Sequence, residues 1–544
     1  MEPRSKSAGR GDDLQDTAEG SKPLSVHPSA LVSHRPGFSP VALLGRRPLL
    51  VFAVLAVYFV AQAGIRMALP PSLELDEAQQ VFLSQWFALG YDTQPPFYNW
   101  LQYGVISFFG VSVAALTLLK NAMLFASYAF YGLAAMSVLK DRRLAVAALL
   151  ALLTIPQISF EAQRDLTHTI AIIFAACLFL FALFRTLDRP SVGGYVLTGV
   201  AIGIGIISKY NFVLLPAAAF MALLWEPAFR RRVFDWRLLL TVVAAVLIVL
   251  PHGLWFIDHM ATATSGTIDK MTDDVPGAGR WAETALGVVS LVLAIPAFCG
   301  VTVGVFALAL GTDFFAALKS GNVWTRLIER TVLFGVLLLL SIVVFSGAVE
   351  VRARWLTPLL VVVPLYLCLK FEAAGLSPDR VLRRMVPVAL FVMVLIPAIL
   401  AGRILTPAWT GHYDKLTVPY EPMVEHLIDA AAEAPGLVIA GDVQLGGNIR
   451  LHAPGVHVLT PNYPGYVPTA AADAPILAIW RERRSGRQVA DMPDELSAFV
   501  ATKLRPGDRI GPVQFVRLPY HFGDGNDAYT FSYAWIGKPE QDRQ

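Results

Sequence analysis

A succession of long apolar runs limits the fold more than any other feature of this chain. A helix needs roughly 20 apolar residues to cross a bilayer, with a working range of about 17–25. Runs that meet or approach this length occupy positions 48–66, 112–139, 144–157, 168–186, 192–207, 210–225, 238–257, 284–310, 332–347, 356–370 and 385–402. Those at 144–157, 192–207 and 356–370 are short. The pattern predicts a polytopic α-helical membrane protein with about 11 transmembrane helices, within a range of roughly ten to twelve. Composition agrees, since 55% of the residues are hydrophobic and only 16% charged. A water-soluble chain could not hide so much apolar surface. A net charge of +3 is too balanced to indicate a nucleic-acid partner. Cys177, Cys299 and Cys368 all lie in apolar runs and form neither a disulfide framework nor a metal motif.

Lys and Arg gather on alternate connections, which sets the orientation. With the N-terminus inside, the inside connections carry Lys140, Arg142, Arg143, Arg185, Arg189, Arg230, Arg231, Arg232, Arg237, Lys319, Arg326, Arg330, Lys370, Arg380, Arg383 and Arg384. The outside connections hold far fewer: Arg66, Arg164, Lys209, Lys270, Arg280, Arg352 and Arg354. Residues 1–46, polar and rich in Ser, Gly and Pro, read as a disordered cytoplasmic leader ahead of a transmembrane domain at 47–404. From 405 to 544 the chain alternates strand and helix patterns, in "GLVIAGDV", "QLGGNIRL", "GVHVLT", "APILAIW", "PDELSAFVATKL", "VQFVRLPY" and "AYTFSYAWIG". That reads as a small α/β soluble domain on the outside. Its "GDVQLGG" lacks the GxGxxG spacing of a dinucleotide site.

The first outside connection, "LELDEAQQVFLSQWFALGYDTQPPFYNW" (73–100), has Glu74, Asp76, Glu77 and Asp92 but no lysine or arginine. Topology accounts for the missing cations and leaves the carboxylates unexplained. Leu75, Ala78, Val81, Phe82, Leu83 and Trp86 make a helical apolar stripe expected to lie along the membrane surface. Asp76 at its start suits a helix cap, favoured by the helix dipole, or a general base, which needs only a hydroxyl within reach. Glu77 is its partner or a bystander. "QPPFYNW" makes a rigid turn whose aromatics, Tyr98 among them, suit sugar stacking or an interfacial belt. The second outside connection, "QISFEAQRDLTH" (157–168), adds Glu161, Arg164, Asp165 and His168. Arg164 and Asp165 make either a helix-end salt bridge or, separately, an anion contact and a second carboxylate for the Asp76 site. Lys209 in "ISKYNF" either snorkels or stands at a cavity rim where a phosphate would bind. His259 ends "PHGLWFIDH", whose spacing matches no metal motif. Arg352 and Arg354, in "SGAVEVRARWLTP", run against the charge bias; loop salt bridges explain them, or bidentate phosphate contact, to which arginine is well suited.

In order and topology, "LDEAQQ…W…QPPFYNW", "EAQRDLTH", "SKYNF", "PHGLWFIDH" and "RARWLTP" resemble the GT-C glycosyltransferases, specifically the family 39 and lipid A aminoarabinose-transferase-like group. The resemblance covers about 48–370. It implies a GT-C-like fold, a polyprenyl-phosphate sugar donor and inversion at the anomeric centre. The implied acceptor is a lipid or glycolipid, lipid A or the lipopolysaccharide core, at the periplasmic face of a bacterial inner membrane. By the same resemblance Asp76 is the catalytic base and Asp165 its assistant. Arg352, Arg354 and Lys209 would stabilise the departing phosphate, with Glu77, Gln94, Tyr98, Glu161, Arg164 and His259 as substrate contacts. No cofactor is fixed by the resemblance, and because members differ in divalent-metal use, a divalent metal stays open. Gln94 departs from the aminoarabinose transferases, which carry Lys before the Pro-Pro pair. That leaves the sugar open and favours relatives that add galacturonic acid to lipid A or core. The rival reading is a transporter or lipid flippase, which predicts sequence repeats and ionisable residues within spans. No clear repeat is seen, and the charges concentrate at outside edges.

Overall fold

The computed structural model describes residues 47, 49–91, 93–264, 279–429, 431, 435–468, 474–481 and 491–537, all within one compact unit. The expected leader at 1–46, Asp92 and Lys270 lie outside the described residues. Each apolar run coincides with a helix or a bent pair of helices. Among the described residues seven are long and apolar enough to cross a membrane: Leu49–Ala68, Val113–Val138, Thr167–Asp188, Leu238–Asp258, Arg280–Leu310, Val323–Ser346 and Pro378–Leu405. Two runs are broken, with Arg142–Thr154 meeting Gln157–Arg164 at 69° and Ala353–Leu360 meeting Val363–Ala373 at 44°. Val192–Ile206 and Tyr210–Trp225 are shorter apolar helices. By length the count is therefore seven, or nine if each bent pair crosses, fewer than the runs alone suggested.

Local chemistry sets the helix starts. Ser112 accepts from the Ala115 N–H, Asp141 from Arg143 and Ser191 from Gly194, each satisfying a backbone donor that the helix leaves unpaired. Val323–Ser346 starts well before its apolar run, at a capping box in which Asn322 accepts from the Thr325 N–H, and its polar first turns are accommodated by Arg330 pairing with Glu226 and Glu329 with Lys370, both at 2.7 Å. Val192–Ile206 lies tightly against Leu238–Asp258, where a Cβ on Gly199 would fall 2.2 Å from the Thr241 carbonyl oxygen. Small residues allow such close contact in lipid, where no hydrophobic force drives helices together. Leu238–Asp258 leaves Leu239, Val243, Leu247, Leu254 and Ile257 exposed. Only a bilayer makes that face stable, and the chain is a membrane protein.

Beyond Leu405 six strands among the described residues form one sheet in the order β2-β1-β3-β6-β4, with β5 also on β6. β1 (Leu437–Ala440), β2 (His457–Leu459) and β3 (Ile476–Trp480) are parallel; β6 (Ala528–Gly537) runs antiparallel to β3, β4 (Arg509–Ile510) and β5 (Gln514–Pro519). The helix Val443–His452 connects β1 to β2.

One expectation is overturned. The apolar stripe of the short helix Leu75–Leu83 does not lie on a membrane surface. Phe82 and Leu83 share a core with Val438, Leu445, Ile449 and Val458 of the sheet region. Trp86 stacks on Tyr466 with ring centroids 4.3 Å apart. A short stripe is satisfied by any apolar surface, lipid or protein, and the sequence pattern does not distinguish the two.

Candidate active site

Glu74 is the N-cap of Leu75–Leu83, and Glu77 completes a capping box with it. Glu77 points inward and is buried. Its Oε2 accepts from Arg66 at 3.1 Å and its Oε1 from Lys120 at 2.9 Å. Burial alone would raise its carboxyl, but the two cations outweigh burial and hold it down to about 2. Glu74 pairs with Arg403 at 3.0 Å and Lys415 at 3.5 Å. There burial, with Asp414 adding to it, outweighs the cations and the carboxyl is raised.

Asp76 faces the other way. Its backbone N–H donates to Asp165 Oδ1 at 3.0 Å, and its own Oδ2 accepts from the Thr167 N–H at 3.1 Å. The Asp165 carboxylate thus sits at the amino end of Leu75–Leu83 and the Asp76 carboxylate at the amino end of Thr167–Asp188, where the macrodipole favours negative charge. Thr167–Asp188 needs such help, because its N-cap is Leu166, with no side-chain oxygen and a left-handed φ of 40°. Asp76 Oδ1 has no hydrogen-bond partner among the described residues. Burial, then the charges of Asp76 and Glu74, push the Asp165 carboxyl up to about 8.

Tyr98 is buried and close enough to Glu77 and Asp76 to feel their charge. The expected aromatic turn is in fact the first turn of a helix, Phe97–Phe109, that directs Tyr98, Asn99 and Gln102 into the core. Tyr98 is only 1% exposed and is not presented for stacking. Its ring centroid is 6.3 Å from that of His168. Burial, then Glu77 and Asp76, raise its hydroxyl.

Gln94, Lys209 and Arg354 line one cavity of about 340 Å³ with Tyr210, Asn211 and Trp355; Leu214, Leu339 and Ile342 form its apolar side. Three contacts bring these separate segments together. The Phe97 N–H donates to the Ile207 carbonyl at 3.0 Å, and Asn211 Nδ2 donates to the Trp355 carbonyl at 2.9 Å. His252 bridges the Leu89 carbonyl at 2.9 Å and the Tyr210 hydroxyl at 3.1 Å. A carbonyl only accepts, so the proton of a neutral His252 is on Nδ1, and Nε2 accepts from Tyr210. Lys209 is close enough to act electrostatically on His168, the neighbour of Thr167.

Arg352 is separated from Arg354. The 3₁₀ turn Ala353–Leu356 begins between them, and the two side chains leave in different directions. Arg352 pairs with Glu350 at 3.0 Å and lines another cavity, of about 660 Å³, with Leu286, Val289 and Leu293. Arg164 pairs with Glu161 at 3.0 Å rather than with Asp165. His259 is exposed and stacks on Trp255 at 4.6 Å. Lys120 is the charged residue that the hydropathy reading passed over. It sits inside the run 112–139, and an ionisable residue within a span was itself a signal of function. Among the described residues no group of three or more His, Cys, Asp or Glu is placed to hold a metal ion.

Residues 93–255 match the family described as dolichyl-phosphate-mannose-protein mannosyltransferase. The chain is 45% identical to the lipopolysaccharide core galacturonosyltransferase RgtB of Rhizobium johnstonii over 489 residues, 90% of this chain and 98% of that one. It is 43% identical to the core galacturonosyltransferase RgtA of the same organism, over 90% of this chain and 97% of the relative. Among solved structures, ArnT from Cupriavidus metallidurans bound to undecaprenyl phosphate matches with a TM-score of 0.56 at 14% identity, covering 91% of this chain and 98% of that one. At that identity the likeness establishes the fold alone, and the fold is the one the motifs implied.

Proposed function

Because this chain belongs to the GT-C membrane glycosyltransferases, we propose that it transfers galacturonic acid from a polyprenyl-phosphate-linked donor to a hydroxyl of the lipopolysaccharide core, with inversion, at the periplasmic face of a bacterial inner membrane. The cavity lined by Gln94, Lys209 and Arg354 carries this reading. Two cations together with the apolar Leu214, Leu339 and Ile342 in one lining suit a ligand with an anionic head and an apolar chain. Near-full-length identity to RgtB and RgtA supports the sugar and the acceptor. The alternation of Lys and Arg supports the face.

In this mechanism the acceptor hydroxyl gives its proton to Asp76 Oδ1 as its oxygen bonds to the anomeric carbon. The bond from that carbon to the donor phosphate oxygen breaks, and the electron pair leaves with polyprenyl phosphate. Lys209 and Arg354 stabilise the charge gathering on that phosphate; in a site shielded from water such stabilisation is commonly the largest contribution. Asp165 accepts the Asp76 backbone N–H and so holds the base in place, and its raised carboxyl is suited to carrying a proton to a substrate oxygen. Glu77 lies in the Arg66–Lys120 ion group and anchors the helix.

Mass spectrometry of core oligosaccharide and lipid A from cells with and without the protein tests the proposal. Loss of one hexuronic acid from the core is the expected result. Loss of an aminopentose, or an unchanged core, would overturn it.

A further inference from the structure

In open α/β sheets ligands bind in the crevice beyond the carboxyl ends of the strands, where successive connections diverge. In the order β2-β1-β3 that crevice lies past β1 and β3, and the chain's own residues occupy it. Gln444, in the first turn of Val443–His452, donates from Nε2 to the Leu73 carbonyl at 3.2 Å. Its Oε1 accepts at 3.1 Å from Arg481, the residue directly after β3. Arg481 is itself held by Asp442, the N-cap of the same helix, at 3.1 Å. One turn further on, Asn448 accepts the Leu73 N–H at 2.8 Å through Oδ1 and directs Nδ2 to the Leu73 carbonyl at 3.5 Å. Two side-chain amides thus hold both backbone groups of Leu73.

The far end of Leu75–Leu83 is held in the same manner. Gln85 donates to the Val458 carbonyl at 3.1 Å and accepts the Val458 N–H at 3.0 Å. Between these grips the two helices touch backbone to backbone, and a Cβ on Gly447 would fall 2.0 Å from the Ala78 carbonyl oxygen. The Gly-rich stretch "QLGGN" therefore serves close helix contact and an amide grip.

We infer that Gln444, Gly447 and Asn448 are positioning residues for transfer: the sheet region takes the segment from Leu73 to Ala78 as its ligand and sets the register in which Asp76 meets Asp165 and Thr167. The inference rests on the reading of Asp76 as the base. Leu73 lies three residues before Asp76, just ahead of the N-cap Glu74, so its position passes directly to the carboxylate. A slide of about 1 Å would break both contacts of the pair, and misplacement of that size can lower a rate about 100-fold.

The test uses full-length Asn448→Ala in lipid nanodiscs, with hydrogen–deuterium exchange and transfer kinetics measured together. Exchange in residues 73–83 should quicken while that of Val113–Val138 stays unchanged. Turnover per folded enzyme should fall about 10- to 100-fold with the donor KM preserved, because other segments line the donor cavity. Asn448→Asp, which still accepts the Leu73 N–H, should recover part of the turnover. Unchanged exchange, with or without lost turnover, would overturn the clamp. Quickened exchange with full turnover would overturn its positioning role. If Asn448→Ala fails to fold, Gln444→Ala is read by the same two measurements, Arg481 remaining held by Asp442. If Asp76→Asn stays active while Asn448→Ala quickens exchange, the assignment of the base fails and the clamp stands.

Discussion

The carboxylate end and the cation end of the proposed site are built on opposite plans. Around Asp76 each charge is assigned a partner: Asp165 and Thr167 join it through backbone N–H groups, Glu77 is shared by Arg66 and Lys120, and Glu74 by Arg403 and Lys415. Around Lys209 and Arg354 the protein supplies a cavity with an apolar wall. A base that must meet one proton gains from rigid placement. A pocket that admits and releases a long lipid phosphate needs room. The contrast teaches that the two ends should fail differently, one in turnover and stability with donor binding intact and the other in donor binding together with turnover.

The largest effect is expected from Asp76→Asn, which should lower turnover by about 10²- to 10⁴-fold, the usual contribution of a general base, with normal folding and insertion. Glu77→Gln should act on stability instead. Removing one partner of a buried ion group commonly costs about 3–5 kcal/mol, and a large drop in thermal midpoint in nanodiscs would show it. Lys209→Ala or Arg354→Ala should raise the donor KM by roughly tenfold, the scale of a charge-assisted hydrogen bond, and lower turnover as well, because the same cations meet the charge that grows on the departing phosphate. The smallest effect concerns pH. The Asp165 carboxyl is raised from 3.8 to about 8, so its stabilisation is complete below about pH 4 and is lost as pH rises through about 8. The thermal midpoint of Asp165→Asn, measured relative to the unsubstituted protein, should therefore climb between those limits and level off above them.

Much of this arrangement was legible in the residues. Length and hydropathy located the helices, because bilayer thickness sets a fixed length of apolar chain. Alternating cations put Asp76, Asp165, Lys209 and Arg354 on one side of the membrane; Asp76 contacts Asp165, and Lys209 and Arg354 line a cavity whose lining does not include the two carboxylates. What stayed hidden depends on contacts far apart in sequence. Arg352 and Arg354 look equivalent as a pair, yet a 3₁₀ turn sends them to different cavities. Tyr98 read as a surface aromatic because nothing local reveals that a helix beginning at Pro96 turns it inward. The partner of the Ala78–Phe82 stripe is Val443–His452, hundreds of residues later, and periodicity identifies an apolar face without saying what covers it.

Equilibrium binding of undecaprenyl phosphate to the purified protein and its variants tests the division of labour most directly. The account predicts that Asp76→Asn binds this lipid as tightly as the unsubstituted protein, while Lys209→Ala and Arg354→Ala bind it roughly tenfold more weakly. Equal weakening in all three variants, or full affinity in both cation variants, would contradict it.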